Sequence, residues 1–313
     1  AWNVFEAGTG PTVVFLHNGG GTLWNWAPQL RHFSSKYRVV APDLPGFGRS
    51  HRPAGPLTLD DYVTALSDLL EILDCPKPIL VGNCIGSSIA LEYALREPAK
   101  VSALALLNVC GGRPMLSSRL RFWATRRPGT ALGRALHRWM IHQAAHPLLR
   151  RLSASLIYAR GEPALPPELQ EFIYRQSRDA GLRASLYGLM RGLESFSVFS
   201  FPREKPDHFP PVLLGWGVQN RTLDVKWAGV IAAWLLPDHY ELIEEAGHMA
   251  NYEQPERINE MLDTFFPVAA GSANANPVQS YLAGARSAAR PDRGLFAGPA
   301  GRRGAVSRLV LCQ

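Results

Sequence analysis

The chain has 313 residues, of which 46% are hydrophobic, so it can bury a substantial core as one large domain with an insertion or as two domains. The formal net charge is +7, and the four cysteines show neither the spacing of metal ligands nor a paired framework. This predicts free thiols in a reducing, cytoplasmic compartment and implies no metal or organic cofactor. No apolar run approaches the roughly 20 residues of a membrane span.

The first strong element is an unbroken apolar strand over 12–17, of the kind that is buried on both faces in a parallel sheet. It ends in a glycine cluster, His17-Asn-Gly-Gly-Gly21, whose backbone N–H groups can point into open space and stabilise a developing oxyanion. We expect Gly19 to supply one donor and the N–H of Ile85 the second. The alternative is an ordinary flexible turn.

Strand and helix patterns then alternate along the chain. Predicted strands cover 37–41, 101–107, 211–216 and 240–243, and predicted helices cover 23–33, 57–73, 225–236 and 255–266. Asp43 begins a loop rich in glycine and proline over 43–50, which we expect it to hold together through backbone hydrogen bonds. Strands that alternate with helices in this way predict a mainly parallel sheet wrapped on both faces.

A candidate nucleophile lies in Gly-Asn-Cys-Ile-Gly at 82–86, where an apolar run from Pro78 meets a helical pattern. This predicts a strand, a tight turn and a helix start, with Gly82 and Gly86 removing side chains that would clash. Cys84 would then be held out in the open near a helix N-terminus, which favours the nucleophilic thiolate. The alternative is a structural cysteine, because free cysteines more often behave as small buried hydrophobes.

Between 113 and 204 the pattern changes to helical segments broken by prolines, and no strand of comparable quality appears. We expect an inserted helical lid that lies over the site and shapes an apolar pocket. The stretch 113–160 contains ten arginines and no Asp or Glu. This is either a solvated basic face or a docking surface for an anionic partner such as coenzyme A or an acyl carrier protein. Nucleic acid is not expected, because no recognition module is present.

Further candidate residues follow the last predicted strands. Asn220 and Asp224 come after the strand 211–216, and His248 comes after the strand 240–243. Active groups gather at the carboxyl ends of the strands in such sheets, so we expect these side chains to meet at one edge. Most single histidines are surface or structural residues, but the position of His248 after the last core strand favours catalysis.

As a set, these features resemble the α/β-hydrolase fold superfamily, with its order of nucleophile, acid and histidine. The motifs that carry the resemblance are His-Asn-Gly-Gly at 17–20, Asp-Leu-Pro-Gly-Phe-Gly-Arg-Ser at 43–50, Gly-Asn-Cys-Ile-Gly at 82–86 and Ala-Gly-His-Met at 246–249. The implied architecture is an α/β sheet with helices on both faces and an inserted helical lid. The expected division is a core over 1–112 and 205–267, a lid over 113–204, and a disordered or loosely docked tail over 268–313.

Two positions depart from the family pattern. Cys84 stands where the nucleophile is usually Ser, and Asn220 stands where the acid is usually Asp. The resemblance therefore implies a Cys84–His248–Asn220 arrangement in which His248 takes the thiol proton and Asn220 orients the imidazole. Asp224 is the second candidate for the orienting group, and Asn108, which follows an earlier strand, is the third.

The chemistry expected of this arrangement is acyl transfer through a Cys84 acyl-thioester, with an oxyanion hole at Gly19 and Ile85. The acyl group of an ester or thioester, including a carrier-bound polyketide or fatty acyl group, would pass to water, to another nucleophile or to an internal hydroxyl that closes a lactone. The alternatives are a carboxylesterase or lactone hydrolase and a polyhydroxyalkanoate synthase, although the chain is short for the latter. A catalytically silent ligand-binding homologue is a further alternative, because degeneration would also produce both exchanges.

Overall fold

The fold is built on a mainly parallel β-sheet. A computed structural model of the chain describes residues 1–53, 55–111, 154–159, 178–196 and 204–269, together with positions 148, 167, 171, 174 and 175. The strands in these residues are β1 (Val4–Ala7), β2 (Thr12–Leu16), β3 (Arg38–Pro42), β4 (Ile79–Asn83), β5 (Ala103–Leu107), β6 (Val212–Gly217) and β7 (His239–Ile243). Their order is β1-β3-β2-β4-β5-β6-β7, with β1 antiparallel to β3 and every other pair parallel. The α/β class predicted from the sequence is confirmed.

Helices cover both faces of this sheet. The α-helices whose bounds lie within the described residues are α1 (Ala27–Phe33), α2 (Leu59–Ile72), α3 (Ile85–Arg96), α4 (Ala180–Gly192), α5 (Lys226–Leu235), α6 (Ala250–Glu253) and α7 (Pro255–Ala269). Buried side chains of α2, α3 and α5 form one apolar core with the sheet, and those of α1 and α7 form a second core on the opposite face. The sheet is thus the middle layer of three.

Strand β2 shows why the central strands are continuous apolar runs. Val13 and Phe15 belong to one core, and the alternate residues Val14 and Leu16 belong to the other. All four side chains are fully buried. Because successive side chains of a strand point to opposite faces, a strand covered on both sides needs an apolar residue at every position.

The helix boundaries follow from local chemistry. Thr58 caps α2: its side chain accepts a hydrogen bond from the backbone N–H of Asp61, whose carboxylate in turn accepts from the N–H of Thr58. The single helix predicted over 23–33 is instead two elements, a 3-10 helix over Leu23–Trp26 followed by α1. Pro28 near the start of α1 has no N–H to continue an α-helical ladder from the preceding turn.

The described part of the insertion, 154–159 and 178–196, contains helical segments and no strand. Most of the arginine-rich stretch lies outside the described residues, and the division into core, lid and tail stays a prediction. Helix α7 continues to Ala269, two residues past the predicted end of the core, and the rest of the predicted tail also lies outside the described residues. In the part of the chain that the structure describes, no helix is long and apolar enough to cross a membrane.

The turn between β4 and α3 depends on two glycines. A Cβ atom at Gly86 would lie 2.1 Å from the backbone oxygen of Leu16 in β2, and one at Gly82 would lie 2.3 Å from the backbone nitrogen of Ser87. Between them, Cys84 has φ 56° and ψ −114°, a backbone conformation that costs a non-glycine residue about 1–3 kcal/mol. The packing of α3 against β2 therefore holds a strained residue at the tip of the turn.

This close approach predicts a large difference between two glycine-to-alanine variants. G86A should lower the free energy of unfolding by about 3 kcal/mol, because α3 must move away from β2 to admit the methyl group. G229A should raise it by up to about 1 kcal/mol, since Gly229 is a helical position with nothing within 4 Å of a new Cβ. Urea unfolding of both variants checks this expectation, and a G86A protein as stable as G229A would contradict it.

Candidate active site

The site is centred on Cys84 at the turn between β4 and α3. Its side chain is 8% exposed, so the cysteine is buried among the described residues rather than held in the open. The backbone N–H groups of Gly19 and Ile85 lie beside the Cys84 sulfur, where both act to lower the pKa of its thiol. The structure thus brings the two expected oxyanion donors and the expected nucleophile together.

The ionisation of Cys84 differs from the sequence expectation. The neighbouring Cys110 side chain, which hydrogen bonds to Cys84, and burial raise the pKa of the Cys84 thiol well above its usual value. The N–H groups of Gly19 and Ile85 act in the opposite direction but do not outweigh them. The expectation that Cys84, held in the open near a helix N-terminus, would favour the thiolate was therefore wrong, and Cys84 rests as a neutral thiol at neutral pH.

His248 lies in the loop that follows β7, and its backbone is fixed on both sides. Its N–H donates to the backbone oxygen of Ile157 in the insertion at 2.7 Å. Its carbonyl oxygen accepts from the side-chain amides of Asn83, at 3.0 Å, and Asn108, at 3.2 Å. Because Asn83 directly precedes Cys84, the histidine loop is tied to the turn that carries the cysteine.

The imidazole of His248 contacts Asn220, as the sequence predicted for the orienting group. The Nδ2 atom of Asn220 lies 3.3 Å from Nδ1 of His248. Burial lowers the pKa of His248 to about 4, so the ring is neutral at pH 7. Among the described residues, no carboxylate hydrogen bonds to this ring, and no hydrogen bond joins the ring to the Cys84 sulfur.

Asp224, the second candidate for the orienting group, is turned away from the histidine. Its side chain is 44% exposed and pairs with Nζ of Lys226 at 3.2 Å. It also accepts a hydrogen bond from the backbone N–H of Lys226, and these contacts lower the pKa of the Asp224 carboxyl. The structure therefore contradicts a role for Asp224 in orienting His248, because it acts as a local turn and ion-pair residue.

Asn108 and Asn83 are functional candidates that sequence reasoning ranked low or missed. Asn108 is fully buried at the end of β5 and adopts φ 47°, a left-handed conformation that Asn tolerates better than most residues. Its Oδ1 accepts from Nδ2 of Asn220 at 3.0 Å, and its Nδ2 donates to Oδ1 of Asn83 at 3.1 Å. The sequence signal that could have identified both residues is their position, because each is a polar amide at the end of an otherwise apolar strand.

Two neighbouring residues have structural roles. Nδ1 of His17 lies 2.7 Å from the backbone oxygen of Asn18, and Nε2 accepts from the backbone N–H of Leu44 at 2.9 Å. His17 therefore braces the glycine loop. Asp43 accepts from the backbone N–H groups of Leu23 and Arg49, each at 2.8 Å, which confirms that it holds its loop together.

The insertion contacts the site at two places. At the first, Leu189 and Leu186 of α4 lie over the glycine loop, so that a Cβ atom at Gly19 would be 2.5 Å from Leu189 Cδ2 and one at Gly20 would be 2.9 Å from Leu186 Cδ2. These leucines give the region next to the Gly19 N–H an apolar cover.

At the second place, segment 154–159 docks against both loops that carry polar candidates. Glu253 accepts from the backbone N–H groups of Gly247, at 2.8 Å, and Ala159, at 2.5 Å. Thr222 donates from its hydroxyl to the backbone oxygen of Leu156 at 3.0 Å. Within the described part of the chain, no three His, Cys, Asp or Glu side chains cluster as metal ligands would.

Comparisons with known proteins agree with this geometry. A family model described as the alpha/beta hydrolase fold matches residues 11–255. The chain belongs to the α/β-hydrolase fold family. At this level its function is that of a hydrolase of the family.

Individual relatives of this hydrolase are distant. A 2-hydroxy-6-oxo-2,4-heptadienoate hydrolase of Pseudomonas putida is 25% identical over 271 residues, which are 84% of this chain and 91% of that protein. Epoxide hydrolase 4 of Homo sapiens is 26% identical over 272 residues, 82% of this chain and 72% of that protein. The solved structure of a meta-cleavage product hydrolase from Pseudomonas fluorescens has a TM-score of 0.69 and 22% identity, covering 86% of this chain and 94% of its own.

The contact between the two sulfurs predicts the effect of removing one of them. In C110A the largest cause of the raised pKa of Cys84 is absent, so the thiolate fraction at a fixed pH should increase. Alkylation of Cys84 by iodoacetamide at pH 7.5 should therefore become several-fold faster. Peptide mass spectrometry of timed samples measures this rate. C75A is the matched control, because Cys75 contacts Arg38 and Leu73 instead. An unchanged or slower rate in C110A would contradict this interpretation.

Proposed function

We propose that this hydrolase transfers acyl groups through a thioester on Cys84. In the first step, Cys84 sulfur bonds to the carbonyl carbon of a thioester or ester, the bond from that carbon to the leaving sulfur or oxygen breaks, and the thiol proton passes through solvent to the leaving group. In the second step, water or another hydroxyl or amine takes the acyl group, and the acceptor's proton returns to Cys84. Hydrolysis, transfer and lactone closure differ only in the acceptor.

The observation that carries this proposal is the convergence of two backbone N–H groups on a strained cysteine. The N–H groups of Gly19 and Ile85 lie beside the Cys84 sulfur, and a substrate oxygen held by the same two donors would be stabilised as it becomes an oxyanion. These donors are fixed by the loop after β2 and the start of α3. They need no rearrangement during the reaction.

The neutral resting state favours thioesters over esters as substrates. Exchange between one thioester and another is close to balanced in energy, and its leaving thiolate needs little acid assistance. An alkoxide is a much poorer leaving group, because its conjugate acid is far weaker than a thiol. A thiol also ionises far closer to neutral pH than a serine hydroxyl, so it depends less on a strong base.

Delivery of the acyl group by coenzyme A or an acyl carrier protein is also part of the proposal. This part is supported by the positive charge of the stretch 113–160, which contains ten arginines and no Asp or Glu. Carrier and coenzyme A thioesters carry phosphates, which arginines bind with paired hydrogen bonds. The leucines of α4 beside Gly19 would contact an apolar acyl chain in this arrangement.

A second candidate function comes from the relatives. Two are named for substrates that carry an oxo or aldehyde group, a 2-hydroxy-6-oxo-2,4-heptadienoate hydrolase of Pseudomonas putida and a 2-hydroxymuconate semialdehyde hydrolase of a Pseudomonas species. Such a substrate also presents a carbonyl group that the N–H groups of Gly19 and Ile85 could receive. If the protein hydrolyses such a keto or aldehyde acid, and a C84A variant keeps that activity, this second function is favoured over acyl transfer.

The test is intact-mass spectrometry after exposure to a panel of octanoyl and acetyl groups, each presented on coenzyme A, on N-acetylcysteamine and on p-nitrophenol. The unsubstituted protein and the C75A control should gain one acyl mass, and C84A should gain none. A larger yield from coenzyme A than from N-acetylcysteamine would support carrier docking. An adduct of equal yield on C84A, or full turnover without Cys84, would overturn the proposal.

A further inference from the structure

The side-chain amide of Asn220 has a fixed orientation. Its Oδ1 accepts hydrogen bonds from the backbone N–H groups of Thr222, at 3.0 Å, and Leu223, at 2.9 Å. Backbone N–H groups can only donate, so they require the oxygen of the amide on that side. The NH₂ group of Asn220 must then point the other way, towards Nδ1 of His248.

Asn108 fixes the same orientation from the opposite direction. Its own Oδ1 accepts from the backbone N–H of Gly217 at 3.0 Å, and its own Nδ2 donates to the backbone oxygen of His248 at 3.2 Å. The Oδ1 of Asn108 is therefore an acceptor that needs the NH₂ of Asn220, which lies 3.0 Å away. If the Asn220 amide were flipped, its oxygen would face Oδ1 of Asn108, and its NH₂ would face the backbone N–H groups of Thr222 and Leu223. Neither contact could be a hydrogen bond.

The polarity of this network decides the protonation of the imidazole. An NH₂ group can hydrogen bond to Nδ1 of His248 only if Nδ1 carries a lone pair, and a neutral imidazole then has its proton on Nε2. We propose that Asn220 and Asn108 are positioning residues that hold His248 in the Nε2–H form, so that it donates a hydrogen bond to the reacting sulfur or oxygen and does not take the thiol proton.

The ionised form of the ring is disfavoured by the same contacts. An imidazolium would carry a proton on Nδ1 that faces the NH₂ of Asn220, and His248 is only 4% exposed, so water cannot relieve the conflict. No charged side chain in the described residues opposes this effect, and the pKa of His248, lowered to about 4 by burial, agrees with a ring that stays neutral. The cysteine and histidine therefore rest as neutral partners and not as an ion pair.

An aspartate at position 220 would have the opposite effect. A carboxylate accepts the proton of Nδ1 and leaves the lone pair on Nε2, which is the form that can act as a base. In serine proteases the exchange of that aspartate for asparagine lowers kcat about 10⁴-fold for this reason. A serine hydroxyl cannot react without such a base, whereas a thiol can, so the asparagine at 220 and the cysteine at 84 are chemically consistent exchanges.

Only the catalytic consequence of this inference rests on the proposed function, because the protonation of the ring can be observed without any substrate. The chain also contains an internal reference. Nε2 of His17 accepts from the Leu44 N–H, so His17 must carry its proton on Nδ1. The two buried histidines should therefore give opposite tautomers in one spectrum.

The test is two-bond ¹H–¹⁵N correlation spectroscopy of the full chain labelled with ¹⁵N-histidine, at pH 7. We expect His248 to show a protonated Nε2 and an unprotonated Nδ1, and His17 the reverse. In N220D, His248 should change to a protonated Nδ1, whereas D224N, which alters an exposed carboxylate of the same loop, should leave the spectrum of His248 unchanged. If N220D does not fold, N220A replaces it and should show both tautomers of His248.

A protonated Nδ1 of His248 in the unsubstituted protein would overturn the inference, whether or not Cys84 forms an acyl adduct. In the kinetic arm, N220D should accelerate acylation of Cys84 by acetyl coenzyme A about 100-fold or more at pH 7, because Nε2 then accepts the thiol proton. If no acyl adduct forms but the spectrum shows His248 protonated on Nε2, the acyl-transfer function is rejected and the inference about the tautomer still holds. An adduct that forms no faster in N220D would reject the catalytic role given to the tautomer.

Discussion

Helix α3 lies so close to strand β2 that position 86 has no room for a side chain, and the rest of the site depends on that contact. A Cβ atom at Gly86 would be 2.1 Å from the backbone oxygen of Leu16. The same contact holds Cys84 at positive φ, with the N–H groups of Ile85 and Gly19 beside its sulfur. Both backbone donors and the sulfur are thus positioned by the packing of the core, before any substrate arrives.

Around this turn the protein uses amides, and one of them, Asn220, stands at the position where the resemblance led us to expect a carboxylate. Asn83, Asn108 and Asn220 form a buried chain of hydrogen bonds that ends on the backbone and on the ring of His248. None of these groups carries a charge, so the network needs no buried ion pair and avoids the desolvation that such a pair would require. The chemistry that fits this environment starts from a neutral thiol, since nothing in the described residues stabilises an imidazolium.

The succession of strands and helices along the chain, and the places of Cys84 and His248 just after strands, could be predicted from the sequence, because apolar runs and glycine turns are local signals. The hydrogen-bonded amides could not, since Asn108 meets Asn220 over a separation of 112 residues and its orientation is set by backbone groups. Which of Asn220 and Asp224 contacts the ring of His248 could also be seen only in the folded structure. Both follow the same strand, and only the turn geometry shows that Asp224 faces solvent and Lys226.

The most direct measurement is the pH dependence of the rate at which acetyl coenzyme A acylates Cys84 in the unsubstituted protein. Without a histidine base, the reactive species is the thiolate of a cysteine whose pKa lies above its usual value, so the rate should rise about tenfold per pH unit from about pH 6 to about pH 8. A rate that is independent of pH over that range would contradict this account, because it would mean that the thiol proton is already held by His248.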